Sequence, residues 1–159
     1  MKNGHLEVVK EFLKDNRVDP SADNNYAIRW ASRNGHLEVV KELLKDNRVD
    51  PSADNNLAIQ WTSKNGHLEV VKELLKDNRV DPSALSNFAI QLASEYGHLE
   101  VVKELLKNNR VDPSVNDNYA IRYASMNGHL EVVKELLKDN RVDPSVLNNL
   151  ANKLKQGTS

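Results

Sequence analysis

The 159-residue sequence contains no cysteine, which excludes both disulfide staples and thiolate metal sites. It has almost no net charge: 22 Lys+Arg against 23 Asp+Glu leave −1, so no strong field favours nucleic acid or an anionic membrane surface. No apolar run exceeds that of Tyr26-Ala27-Ile28, and nothing of that length spans a bilayer. There is no Asn-x-Ser/Thr sequon and no signal peptide; the chain opens MKNGHLEVV and passes straight into charged helix, the economical pattern of an intracellular, cytoplasmic protein. Proline and glycine are also few, five and six. They are not scattered, however. Every proline lies in Asp-Pro-Ser, and Gly4, Gly35, Gly66, Gly97 and Gly128 are spaced 31 residues apart without an insertion.

That spacing belongs to a repeat. NGHLEVVKELLKDNRVDPS occupies 34–52 and recurs letter for letter at 65–83 and 127–145. Near-copies begin at Asn3, with Phe12 for a leucine, and at Tyr96, with Asn108 for an aspartate. A strict period of this size marks a stacked repeat architecture. The expected organisation is one array over 1–159: a half repeat at 1–21, full repeats at 22–52, 53–83, 84–114 and 115–145, and a capping helix at 146–155.

Each repeat reads as two short helices. Helix A is expected from Asn24 or Asn25 to Arg33, with Asp23 or Asn24 as N-cap. Asn34-Gly35 closes it, because glycine accepts the left-handed conformation at a helix end. Helix B follows as HLEVVKELLK, its Glu38 and Lys45 matched to the helix dipole, and Asp50-Pro51-Ser52 stops it. On helix B, Leu37, Val39, Val40, Leu43 and Leu44 share one face, opposite Glu38, Lys41, Glu42 and Lys45. On helix A, Tyr26, Ala27, Ile28, Trp30 and Ala31 form an apolar arc, and Asn25, Arg29, Ser32 and Arg33 a polar one. Helices this short are unstable alone, so the arcs must bury against each other and against the next repeat. The expected fold is all-α: a right-handed stack of antiparallel helix pairs without a sheet core.

In these residues the chain resembles the ankyrin repeat family. NGHLEVVKELLK is similar to the family's turn and second helix in every copy. The first helix departs: YAIRWAS, LAIQWTS, FAIQLAS and YAIRYAS stand where the family has Thr-Pro-Leu-His and two alanines, and the period is 31 rather than 33. The projecting finger, RVDPSADN, is expected to be shortened and without paired strands. The subtype is similar to ankyrin arrays of protists and giant viruses. The resemblance implies a non-enzymatic scaffold that binds another protein through a concave face of first helices and fingers, as a monomer without cofactor.

Catalytic and metal readings find little support. His5, His36, His67, His98 and His129 each follow the turn glycine, where a structural hydrogen bond explains all five; successive copies are roughly 10 Å apart, too far to share a metal. No phosphate loop or HExxH is present. Trp30, Trp61, Phe88 and Tyr123 could stack bases, but packing at the edge between repeats is the better reading.

Positions identical in all copies serve the stack, and positions that differ are free or adapted to something outside. Three columns differ in chemical type: Lys2, Arg33, Lys64, Glu95 and Met126 before the turn; Asp23, Asp54, Leu85 and Asn116 in the finger; Arg29, Gln60, Gln91 and Arg122 on helix A. The candidate partner contacts are therefore Arg29, Arg33, Gln60, Lys64, Leu85, Gln91, Glu95, Tyr96, Arg122 and Met126. The competing reading is a designed or structural scaffold, or a fragment of a longer array, with no dedicated ligand; the uniform copies and an opening at helix B favour it.

Overall fold

The structure, a computed structural model, describes the backbone of residues 2–156 and the side chains of 5–149, 151 and 152. The described residues form ten helices and no strand: α1 (Lys2–Lys14), α2 (Ala22–Arg33), α3 (Leu37–Leu44), α4 (Ala53–Lys64), α5 (Leu68–Leu75), α6 (Ala84–Glu95), α7 (Leu99–Leu106), α8 (Val115–Met126), α9 (Leu130–Leu136) and α10 (Ser145–Gln156). The chain divides into two compact units, Met1–Asp81 and Pro82–Ser159. In the first, α2 pairs with α3 and α4 with α5, while α2 lies beside α4 and α3 lies between α1 and α5. In the second, α6 pairs with α7 and α8 with α9, α7 lies beside α9, and α8 contacts both α6 and α10. First helices therefore stack on first helices, and second on second, as the periodicity predicts.

The core repeats with the sequence. Ile28, Ile59, Ile90 and Ile121 are buried, together with Leu43, Leu74, Leu105 and Leu136 from the second helices. Alanine keeps the first helices close: Ala58, Ala89 and Ala120 are fully covered. Two readings of the aromatic residues need correction. Tyr26, Ala27, Trp30 and Phe88 are exposed, and Trp61 and Tyr123 are only half-buried, so none of these aromatics is a core residue. The isoleucine–alanine stripe fills the interior and leaves the larger rings at its rim. In α2 the rim also lacks a neighbouring first helix on one side among the described residues, which uncovers Ala27.

The helix A start also differs from expectation. Asp23, Asn24 and Asn25 do not cap a right-handed helix; all three have positive φ, at 52°, 57° and 60°. The same left-handed turn recurs at 54–56, 85–87 and 116–118. Each such residue costs about 1–2 kcal/mol for most L-amino acids and less for Asn and Asp, which accounts for the Asp/Asn-rich triplets. The third residue of each triplet, always asparagine, returns this cost. Asn25, Asn56, Asn87 and Asn118 accept through Oδ1 from the backbone N–H of Asp50, Asp81, Asp112 and Asp143, at 2.7, 2.7, 2.8 and 2.9 Å. Each turn is thereby tied to the finger that closes its own repeat. The fingers carry no strand; Asp50 and Asp112 instead close tight turns by accepting from the N–H and hydroxyl of Ser52 and Ser114.

The loop before each finger is held by an aspartate. Asp46 accepts from the backbone N–H, Nε and Nη2 of Arg48 at 3.0, 2.9 and 2.6 Å, and Arg48 Nη1 reaches back to Val18 O at 3.1 Å. These bonds hold the Asp46 carboxyl down at about 2, and Asp77 and Asp139 are lowered by Arg79 and Arg141 in the same way. A folded pKa below the unfolded one contributes stability above the unfolded value and loses it as pH falls toward the folded value. The urea midpoint should therefore stay level down to about pH 4 and drop between about pH 4 and 2. Asp46→Asn, which imitates Asn108 of the third full copy, should lower the midpoint at neutral pH and shrink that acid drop. An unchanged acid drop would detach it from these loops.

The final helix spans 145–156, close to the expected 146–155. Val146 and Leu147 are half-buried, and Asn152, at the position of the buried Ile121, is exposed. The Leu150, Leu154 and Lys155 side chains, on which the expected capping role also rests, and residues 157–159 lie outside the described residues. No helix among the described residues is long and apolar enough to cross a membrane.

Candidate functional site

The turn after each first helix is a fixed frame. In the first unit, Arg33 O accepts from Asn65 Nδ2 at 2.7 Å and lies 3.0 Å from His67 Nε2. In the second, Glu95 O accepts from Asn127 Nδ2 at 2.8 Å and lies 2.9 Å from His129 Nε2. The histidine rings lie flush against the glycine of the preceding turn: a Cβ on Gly35 would sit 2.6 Å from His67 Nδ1. These histidines act in the stack, as their position after the glycine implies.

One candidate column belongs to the frame as well, which corrects the reading of it as free. Gln60 and Gln91 are buried, at 2% and 3% exposure, and donate through Nε2 to Asn55 O and Ser86 O at 2.7 and 2.6 Å. Arg29 donates to Asn24 O and Asp23 O and pairs with Asp54 at 3.0 Å, while Arg122 reaches Asp117 O at 3.3 Å. All four side chains clamp the carbonyls of the left-handed turn. Arginine and glutamine alternate because the site needs an N–H donor at the end of a long stem, which both supply.

The remaining candidates lie at the surface, on or next to the first helices. In the first unit, the Arg33 guanidinium carbon sits 5.0 Å from the centre of the Trp61 ring, and Arg33, Trp61, Lys64 and Asn65 line a hollow of about 140 Å³. In the second unit the equivalent positions are Glu95, Tyr123, Met126 and Asn127. Here Tyr119 stacks on Tyr123, centroids 3.9 Å apart, and donates its hydroxyl to Glu95 Oε2 at 3.0 Å. Burial and the neighbouring carboxylate push the Tyr119 hydroxyl up to about 12, so it remains a donor at any physiological pH. Leu85, Phe88, Tyr96 and Met126 are exposed in this unit, the first and last two by about half. Phe88 and Trp61 are not among the sequence candidates; their place in the apolar arc of the first helix disguises them as core.

The second helices offer a different surface. Lys41 pairs with Glu38, Lys45 with Glu42, Lys72 with Glu69 and Lys76 with Glu73, each one turn apart, and α7 and α9 repeat the pattern. Their charges are matched locally and identically in every copy, leaving little to distinguish one partner from another.

The helix-pair frame, its turn glycine and its histidine are what a family assignment must match. A family model described as ankyrin repeats (3 copies) matches residues 1–86 and 60–148. The chain belongs to the ankyrin repeat family. No curated protein matches it at a significant level. Ankyrin repeats are generally non-enzymatic modules of protein–protein interaction.

Proposed function

We propose that this ankyrin array binds a protein partner on its helix A surface, the side that the family resemblance assigns to the concave face, with apolar anchors in the second unit. The observation that carries the reading is the third full repeat, where the frame is broken at both ends of one helix. Leu85 occupies the left-handed turn at φ 52°, where Asp23, Asp54 and Asn116 stand in other copies, and its side chain is 57% exposed. Tyr96 replaces the asparagine of the turn, so it lacks the side-chain amide with which Asn65 and Asn127 hold the preceding repeat. Both changes put an apolar surface into water, and Leu85 does so from a left-handed backbone that disfavours a leucine. A strained, exposed apolar residue of this kind supports a functional reading. Glu95 and Phe88 on the same helix and Met126 on α8 add the carboxylate, ring and thioether expected at a contact surface.

Back-substitution to the repeat's own residues separates this reading from drift. Leu85→Asn should raise stability by about 1 kcal/mol, since asparagine tolerates the left-handed turn, and Tyr96→Asn should restore an amide donor. The double variant should nonetheless lose its partner when wild type and variant arrays are compared by quantitative capture from the same lysate. Glu100→Gln with Lys103→Gln, on the second helix of that repeat, should leave capture unchanged. A stabilised double variant with an identical set of captured proteins would favour the scaffold without a ligand, and a loss confined to the second-helix variant would move the site to the other face.

A further inference from the structure

The hollow of the first unit has a chemistry of its own. It is formed where two successive repeats meet, at a place the frame makes rigid: Asn65 and His67 both hold the Arg33 carbonyl from the next repeat. The Arg33 guanidinium is laid over Trp61 at 5.0 Å, a contact that restrains the side chain while an arginine's N–H donors can still pair with a ligand. Lys64 adds a second cation on the same rim, one residue before the Asn65 amide. The lining thus brings together two positive groups, an amide and an indole face, around about 140 Å³, and it contains no carboxylate. The second unit offers an internal comparison. The same frame there holds Glu95, Tyr123 and Met126 in place of Arg33, Trp61 and Lys64, so the charge of the rim is reversed while the backbone bonds are kept. What changes between these two places is the charge and chemistry of the side chains carried on the same backbone frame.

We infer that the hollow lined by Arg33, Trp61, Lys64 and Asn65 is a subsite for a carboxylate, and that the partner of the first unit presents an acidic segment with an apolar neighbour: an Asp or Glu side chain paired with Arg33 and Lys64, and an adjoining aliphatic group against Trp61. An arginine fork matches a carboxylate bidentately, and a volume of this size admits one side chain rather than a helix. The inference rests on the binding function proposed above and specifies the partner for one part of that surface.

The test uses the full chain and two labelled octapeptides, one alternating Glu and Leu and one alternating Lys and Leu. Binding is followed by anisotropy, and its place by the indole N–H resonance of Trp61, assigned with Trp30→Phe. The acidic peptide should shift Trp61 and the basic one should not. Arg33→Glu and Lys64→Met, the residues that the second unit itself carries at these positions, should fold and each weaken the acidic peptide about tenfold, a loss of ~1.4 kcal/mol. Binding should also fall with added salt. The inference is overturned by an acidic peptide that leaves Trp61 unmoved, by equal binding of the basic peptide, or by unchanged affinity in Arg33→Glu. Should the acidic peptide fail while Leu85→Asn with Tyr96→Asn still abolishes partner capture, the carboxylate subsite falls and the helix A binding surface stands.

Discussion

Gly97→Ala should destabilise the array by about 3 kcal/mol, while Gly128→Ala, the same substitution one repeat later, should cost only about 1. Both glycines have left-handed backbones, with φ of 78° and 76°, so an alanine is strained at either position. They differ in what a methyl group would meet. At Gly97 the new Cβ would lie 2.5 Å from Nδ1 and 2.8 Å from Cγ of His129, whereas at Gly128 nothing lies within 4 Å. The ring cannot step aside freely, because its Nε2 is bonded to Glu95 O at 2.9 Å. Moving it breaks that bond and leaves the carbonyl with only the Asn127 amide. Urea unfolding of the two variants measures the difference directly. Adding His129→Ala to Gly97→Ala should recover part of the loss, because the clash disappears with the ring. Equal costs for the two alanines would mean that the ring carries no weight in the stack.

The second large effect is expected at an asparagine. Asn87→Ala should cost about 3 kcal/mol, combining the loss of the acceptor for the part-buried Asp112 N–H with an alanine at φ 62°. Asn87→Gly removes the same acceptor and relieves the backbone, so it should lose about 1 kcal/mol less. Asn87→Asp keeps an acceptor in a residue that tolerates the turn, and should fall between wild type and glycine. If alanine and glycine variants unfold at the same urea concentration as wild type, the tie between turn and finger contributes nothing.

These two residues also show how the chain can be read. The 31-residue period, the turn glycine and the amphipathic second helix follow from patterning alone, because each copy repeats the same burial problem and the helix wheel solves it. The left-handed triplets were not legible in that way. Propensity treats Asp-Asn-Asn before a helix as a cap, and three successive left-handed residues are disfavoured for almost any L-sequence. The signal lay in the invariant asparagine at 25, 56, 87 and 118, which does two things at once: it tolerates the turn and accepts from the next finger. The Arg29, Gln60, Gln91 and Arg122 column misled for the opposite reason. Its residue names change, but its function as a donor to the turn carbonyls does not. At 33, 64, 85, 95, 96 and 126 the chemistry itself changes between copies, and those side chains are exposed or half-buried.

We propose that the helix A side of this array, and not the salt-bridged second helices, receives a partner protein. Hydrogen exchange of the array, free and with a protein captured through the variant comparison above, tests it most directly. Protection should appear at 85–96 and 119–126, with residues 99–107 and 130–138 exchanging as in the free chain. Protection confined to the second helices, with 85–96 unchanged, would contradict the account.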